Sequence, residues 1–367
     1  MTTRRNQTTI TTTVSAAQYR PLRRSRGSGG GSPDGRRRRA LTSGGGGGAG
    51  GRRGVTGETM EPVGSVRRLA IPLLAFTLIL GACGGGGSSS ATSDGVTVAA
   101  FGFSESRVLA ELYAQAMEAK GISVSRAYDL ASREVVEPAL EQGVVDFVAE
   151  YSGTALEFLN RGAGQATSDP EATYRLLRDA FAARGVTALA PAPAQTKNAV
   201  AVTRATAERL RLTTISDLRP VAPGLVFGAP PECPERRFCM AGLAATYGLT
   251  FKEFRALDAG GPLTVGALEG NEIDVGLLFT TSPAVETSGL VLLDDDRGLQ
   301  PAENVVPVVR TPVLERHGDD LRKAVDAVSR LLTTEELIRL NRHVDVEGTT
   351  PQQAARSWLA RQGLDKS

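Results

Sequence analysis

From residue 96 onward, short apolar runs alternate with segments of helical period, and that alternation leaves few architectures open. Residues 96–101 read as a strand. Residues 105–120 read as a helix, with Val108, Leu109, Leu112, Tyr113, Ala116 and Met117 on one face and Gly121 as its stop. Residues 122–128 form a second predicted strand. Ser132 then caps a helix whose apolar face is Val135, Val136, Ala139 and Leu140, with Pro138 inside it as a possible bend and Gly143 at its end. A third, buried strand is expected at 144–148. Capping boxes recur further on. Ser168 with Glu171 opens a helix to about Ala183, and Thr333 with Glu336 opens another. Thr350 with Gln353, and Pro351 at the first helical position, opens the last. Leu321, Val325, Val328 and Leu332 mark a further helix. Strands separated by helices imply an α/β fold with mostly parallel sheets. The folded stretch, about 270 residues from Ser93 to Gln362, is large for one core, so two lobes are expected. The block 198–303 has strands of its own at 200–202, 226–228 and 275–279.

The chain before this block cannot fold by itself. Residues 1–59 are mainly Gly, Ser, Thr and Arg, too poor in large apolar side chains to offset their ordering entropy, and are expected to be disordered. Residues 60–82 have the form of an export signal: Arg67 and Arg68, then an apolar run from Leu69 to Leu80. Because such a signal should begin a chain, Met60 is the expected true start, with 1–59 then not translated. The run ends in Leu80-Gly81-Ala82-Cys83, which resembles the lipobox of bacterial lipoproteins and implies acylation of Cys83. Residues 83–95 then read as a flexible tether.

Charge must be recounted after cleavage. The whole chain has 42 basic and 40 acidic residues. Residues 1–82 hold 14 Arg and 3 acidic residues, which leaves 28 basic and 37 acidic, a net of −9. An acidic body argues against nucleic acid as a partner. Cys233 and Cys239, six apart in an exported chain, are expected to form a small disulfide loop, with two buried free thiols as the other reading. His317 and His343 lie far from that pair, so no metal site and no cofactor is expected. Neither a G-x-S-x-G elbow nor a Walker loop is present, and the sequence offers no cluster for acid–base chemistry.

The most informative stretch is 101–160. It contains Phe103-Ser104-Glu105-Ser106, Ser132-Arg133-Glu134 and Glu150-Tyr151-Ser152-Gly153-Thr154. These segments resemble the glycine betaine, carnitine, choline and proline betaine binding proteins of osmoprotectant ABC importers. The resemblance continues through Pro191-Ala192-Pro193-Ala194, Thr214-Ile215-Ser216-Asp217-Leu218 and the run from Asp295 to Asn304. It implies a two-lobed periplasmic-binding-protein fold of type II, with two crossovers between lobes. Lobe I would be 96–197 with 304–366, and lobe II would be 198–303. It also implies a monomeric, lipid-anchored binding protein on the outer face of the cell membrane, whose partners are a small solute and an ABC permease. An enzyme on this fold, or a sensor lipoprotein for another solute, are the rival readings.

A quaternary ammonium has no N–H and is held by aromatic faces, each contributing about 0.5–2 kcal/mol when dry. A ligand carboxylate wants Arg or hydroxyl donors. The motif matches bring over Tyr151 and Phe279 as aromatic walls, Thr154 as a donor and Arg236 as the carboxylate partner, with Phe103 as an added ring. Each has a plainer reading: strand-end tyrosine, core phenylalanine, surface arginine. Ser132 is most simply a helix N-cap, though its helix N-terminus would also suit an anion. The sequence departs from the family at Phe101 or Gly102, where a lysine is frequent, at Thr196-Lys197-Asn198, and near Glu303, where an aromatic is expected. These departures leave open a polar or zwitterionic solute held partly by Gln195, Asn198 and Glu303.

Overall fold

The computed structural model describes residues 95–366. The 1–59 stretch, the signal segment 60–82, Cys83 and the tether up to residue 94 lie outside the described residues. Among the described residues no helix is long and apolar enough to cross a membrane.

The chain builds two five-stranded sheets with helices on their faces. It begins with β1 (Val96–Ala99), β2 (Val124–Ala127), β3 (Phe147–Tyr151) and β4 (Val186–Ala188). It crosses to β5 (Asn198–Thr203), β6 (Val226–Ala229), β7 (Glu253–Ala256), β8 (Val275–Phe279) and β9 (Leu290–Leu292), then returns as β10 (Val305–Arg310). The strand orders are β2-β1-β3-β10-β4 and β7-β6-β8-β5-β9. In each sheet one strand runs against the other four: β10 is antiparallel to β3 and β4, and β5 is antiparallel to β8 and β9. The reason is geometric. Strands β3 and β8 end where the two sheets face each other, while β5 and β10 start there, fresh from a crossover. The fold is the two-lobed α/β type expected from the sequence.

Helix α1 (Ser104–Ala119) buries Val108, Leu109, Leu112, Tyr113, Ala116 and Met117 against the first sheet's core. Helix α2 (Arg133–Gln142) contains Pro138 without ending there, and stops at Gly143 in the left-handed conformation. Helix α3 (Ser152–Leu159) follows β3 directly, and α4 (Pro170–Ala182) comes next. Three local expectations change. The third strand is Phe147–Tyr151, not 144–148: Val144 is 64% exposed, and the Asp146 carboxylate instead binds the Thr97 N–H at 2.9 Å. The cap of α4 is Asp169, whose side chain accepts from Glu171 and Ala172, and not Ser168. The first strand stops at Ala99, which places Phe101 in the turn before α1.

The two crossovers run side by side. Gln195 and Asn304 form an antiparallel bridge, and the Thr196 N–H donates to the Glu303 carbonyl at 3.1 Å. The start of α3 clamps the second crossover, since Ser152 Oγ donates to the Ala302 carbonyl at 2.8 Å and accepts the Asn304 N–H at 3.0 Å. Gly153 makes this approach possible. A Cβ there would lie 2.3 Å from Pro301 Cγ and 2.8 Å from the Ala302 carbonyl. Gly153→Ala is therefore expected to push the crossover off α3 and cost about 1–3 kcal/mol of stability, measured by urea unfolding. An unchanged midpoint would show that the crossover is not clamped there.

Candidate ligand cleft

Between the sheets lies a cleft of about 790 Å³. Its walls come from the ends of β3 and β8, the turn before α1, the first turns of α2 and α3, the two crossovers, and the loop 230–239. That loop is closed by a Cys233–Cys239 disulfide with a Cα–Cα distance of 5.3 Å.

Aromatic rings from both lobes meet in the cleft. Phe103 precedes α1, and its ring centre is 5.3 Å from that of Phe279 and 6.1 Å from that of Tyr151. Phe101 stacks behind Phe103 at 6.0 Å. The buried Tyr151 hydroxyl donates to Glu105 Oε1 at 3.0 Å, and burial together with the Glu105 charge raises its pKa well above the usual range. Glu105 is the node beneath this wall. It also accepts from Thr281 Oγ1 at 2.5 Å and from Asn341 Nδ2 at 2.6 Å, so it ties α1 to lobe II and to the helix Thr334–Asp345. Thr281 lies 2.7 Å from Thr196 in the first crossover. Burial raises the Glu105 pKa, and the bonds from Thr281, Asn341 and Tyr151 oppose that rise.

The polar end is built around Arg133 and Glu303. Arg133 is buried, bonds Glu150 at 2.8 and 2.6 Å, and stands 5.4 Å over the Phe101 ring. Thr154 accepts from Arg133 at 3.2 Å. Glu303, 1% exposed, receives the Gly153 N–H at 3.0 Å and the Thr154 N–H at 2.9 Å at the N-terminus of α3. Burial pushes its pKa up to about 8 against the pull of those N–H groups and of Arg133. Behind them, burial and the neighbouring Glu150 raise Glu137 well above the carboxylate range.

Arg236 reaches across from the disulfide loop to Glu134 of α2 at 2.7 and 2.9 Å. Its pKa is lowered by burial and by Arg133. Ser132 lines the cleft and is the N-cap residue of α2, but its hydroxyl makes no capping bond to the helix and instead donates to Glu134 at 2.6 Å. Asn198 lines the cleft with its amide turned to the Phe238 carbonyl at 3.1 Å. Gln195 is outside the lining. It stays in the paired crossovers, where its N–H meets Thr334 Oγ1 at 3.0 Å.

The cleft thus brings together Phe103, Ser132, Tyr151, Thr154, Asn198, Arg236, Phe279 and Glu303, and leaves out Gln195. Sequence reasoning passed over Phe101, Glu105 and Arg133, although all three lie in or next to the segments that carried the resemblance. Among the described residues no group of three or more His, Cys, Asp or Glu is placed to hold a metal.

Comparisons with known proteins agree with this geometry. A family profile, the substrate binding domain of the ABC-type glycine betaine transport system, matches residues 94–361. The glycine-betaine-binding protein of Pseudomonas aeruginosa is 30% identical over 273 residues, covering 71% of this chain and 86% of that one. The carnitine transport binding protein OpuCC of Listeria monocytogenes is 26% identical, covering 80% and 94%. In fold, the chain is similar to a crystal structure described as a glycine betaine/carnitine/choline ABC transporter, with a TM-score of 0.59, 24% identity, and coverage of 74% and 100%.

Glu303 generates a test of the site's electrostatics. A carboxyl whose pKa is raised on folding stabilises fully below the ordinary glutamate value of 4.5 and loses that contribution as pH rises to about 8. The stability of Glu303→Gln relative to the parent is expected to grow across that window and to level off above it. Urea titrations between pH 4.5 and 9 measure this, and a difference that does not change with pH would contradict it.

Proposed function

The chain belongs to the family of substrate-binding domains of ABC-type glycine betaine transport systems, and we propose that its solute is a quaternary ammonium compound held in the inter-lobe cleft. The class is that of glycine betaine, choline, carnitine and proline betaine. The observation that carries this reading is the meeting of Phe103 and Tyr151 of lobe I with Phe279 of lobe II. Three ring faces contributed by two lobes suit a cation that offers no N–H, and lobe closure would tighten them around it.

The protein captures its solute outside the cell and hands it unchanged to a membrane permease. Acylation of Cys83 would hold it at the membrane through the tether expected at 83–95. It works as a monomer, since one chain supplies both walls of the cleft. The Glu105 node sets the depth of the slot by fixing Tyr151 and Thr281 to one carboxylate.

Calorimetry of the purified protein against glycine betaine, choline, carnitine and proline betaine tests the reading. Saturable 1:1 binding of at least one is expected. Tyr151→Ala is expected to weaken it by about 1–2 kcal/mol. A folded protein that binds none of the four would refute the proposal, and unchanged affinity in the variant would remove Tyr151 from the site.

A further inference from the structure

Each arginine lining the cleft either has partners within the protein or stands in solvent. Arg133 is bonded to Glu150, and Arg236 to Glu134 with Glu232 at 3.9 Å beyond. Arg237 reaches Glu157 at 3.9 Å, and Arg297 lies over the Tyr247 ring and bonds Ser216 and the Thr246 carbonyl. Arg161 is exposed, where an ion pair contributes little. Thr154, the hydroxyl donor expected for a ligand acid, is 3.4 Å from Glu303 and already takes an Arg133 N–H. Among the buried cleft arginines only Arg236 Nε lacks a hydrogen-bond partner, and that guanidinium is already paired to Glu134, so a ligand carboxylate would compete there with a protein carboxylate.

The anionic side stands differently. Glu303 and Glu150 are both buried, and the one guanidinium between α2 and β3 is bonded to Glu150. Glu303 has N–H donors but no ion-pair partner among the described residues. A buried carboxylate in that position gains most from a cation brought in from outside. The aromatic wall adds to the same preference, because a phenol that donates to a carboxylate presents a more electron-rich ring, and Tyr151 donates to Glu105.

We propose that Glu303 is the counter-charge of the bound solute, and that the cleft therefore selects a quaternary ammonium of net charge +1 over a zwitterion with the same head group. This rests on the reading that the cleft takes quaternary ammonium solutes. The aromatic rings attract the head group of either ligand equally. The tail decides between them: a hydroxyl is tolerated, whereas a carboxylate meets buried guanidiniums already paired to protein carboxylates, with Glu303 and Glu150 nearby to repel it.

The test is calorimetry at pH 9, where Glu303 is mostly ionised, with choline, glycine betaine, and the uncharged analogue of choline in which a tert-butyl group replaces the trimethylammonium. The parent protein is expected to bind choline at least about tenfold tighter than either of the others. In Glu303→Gln, with folding checked by circular dichroism, the choline to glycine betaine ratio is expected to fall to near one. If that variant does not fold, the parent's preference for choline over its uncharged analogue and over glycine betaine still decides the matter. Glycine betaine bound as tightly as choline by the parent, or an unchanged ratio in folded Glu303→Gln, overturns the proposal while leaving the quaternary ammonium reading intact. Binding of none of the three, nor of carnitine or proline betaine, overturns both.

Discussion

Two extended segments, paired at Gln195 and Asn304, carry the chain from one lobe to the other and back, and everything in the cleft is referenced to them. The second crossover delivers Glu303 to the N-terminus of α3, where two backbone N–H groups receive it. The first delivers Thr196 to Thr281, and Thr281 in turn reaches the buried carboxylate that holds Tyr151. Wall, hinge and polar end are therefore one connected set of hydrogen bonds. Such a network is strong when complete and costly when broken, because its members are buried away from water.

The outline of this arrangement was legible in the sequence. The helical period of α1, the glycines at 121 and 143, and the Thr350–Gln353 capping box are local signals, and each depends on contacts within a few residues. Misreadings occurred where local signals tied. Ser168 and Asp169 are adjacent and equally good caps, and the chain's path picks the second. The run 144–148 is apolar enough for a strand, but Asp146 is anchored to Thr97 and Arg310, which leaves Val144 in solvent and moves the strand on by three residues.

Of the cleft's lining, the rings were legible in the sequence and the charges much less so. Tyr151 and Phe279 could be named because they fall in segments that match the family, with Phe103 as an added ring beside them. Glu105 could not, since a glutamate in the first turn of a helix ordinarily serves the helix dipole. Its partners are 46, 176 and 236 residues away, a separation that no local pattern encodes. Arg133 was hidden for a similar reason: beside a good capping serine it reads as a solvated helix start, whereas the fold buries it against Glu150.

The two sheets share one strand plan, yet they do not mature alike. Every strand of the second sheet comes from the continuous stretch 198–292, so that lobe holds all its partners as soon as it emerges. The first sheet has β10 inserted between β3 and β4, and β4 pairs with nothing else. Its edge strand must wait for a segment more than 100 residues downstream. Closing that long loop has an entropic cost that local contacts cannot offset, so assembly of this lobe is intrinsically the slower event. A chain leaving the membrane N-terminus first would thus complete its later-emerging half before its earlier one, and the cleft would come into existence only when the last strand slides home.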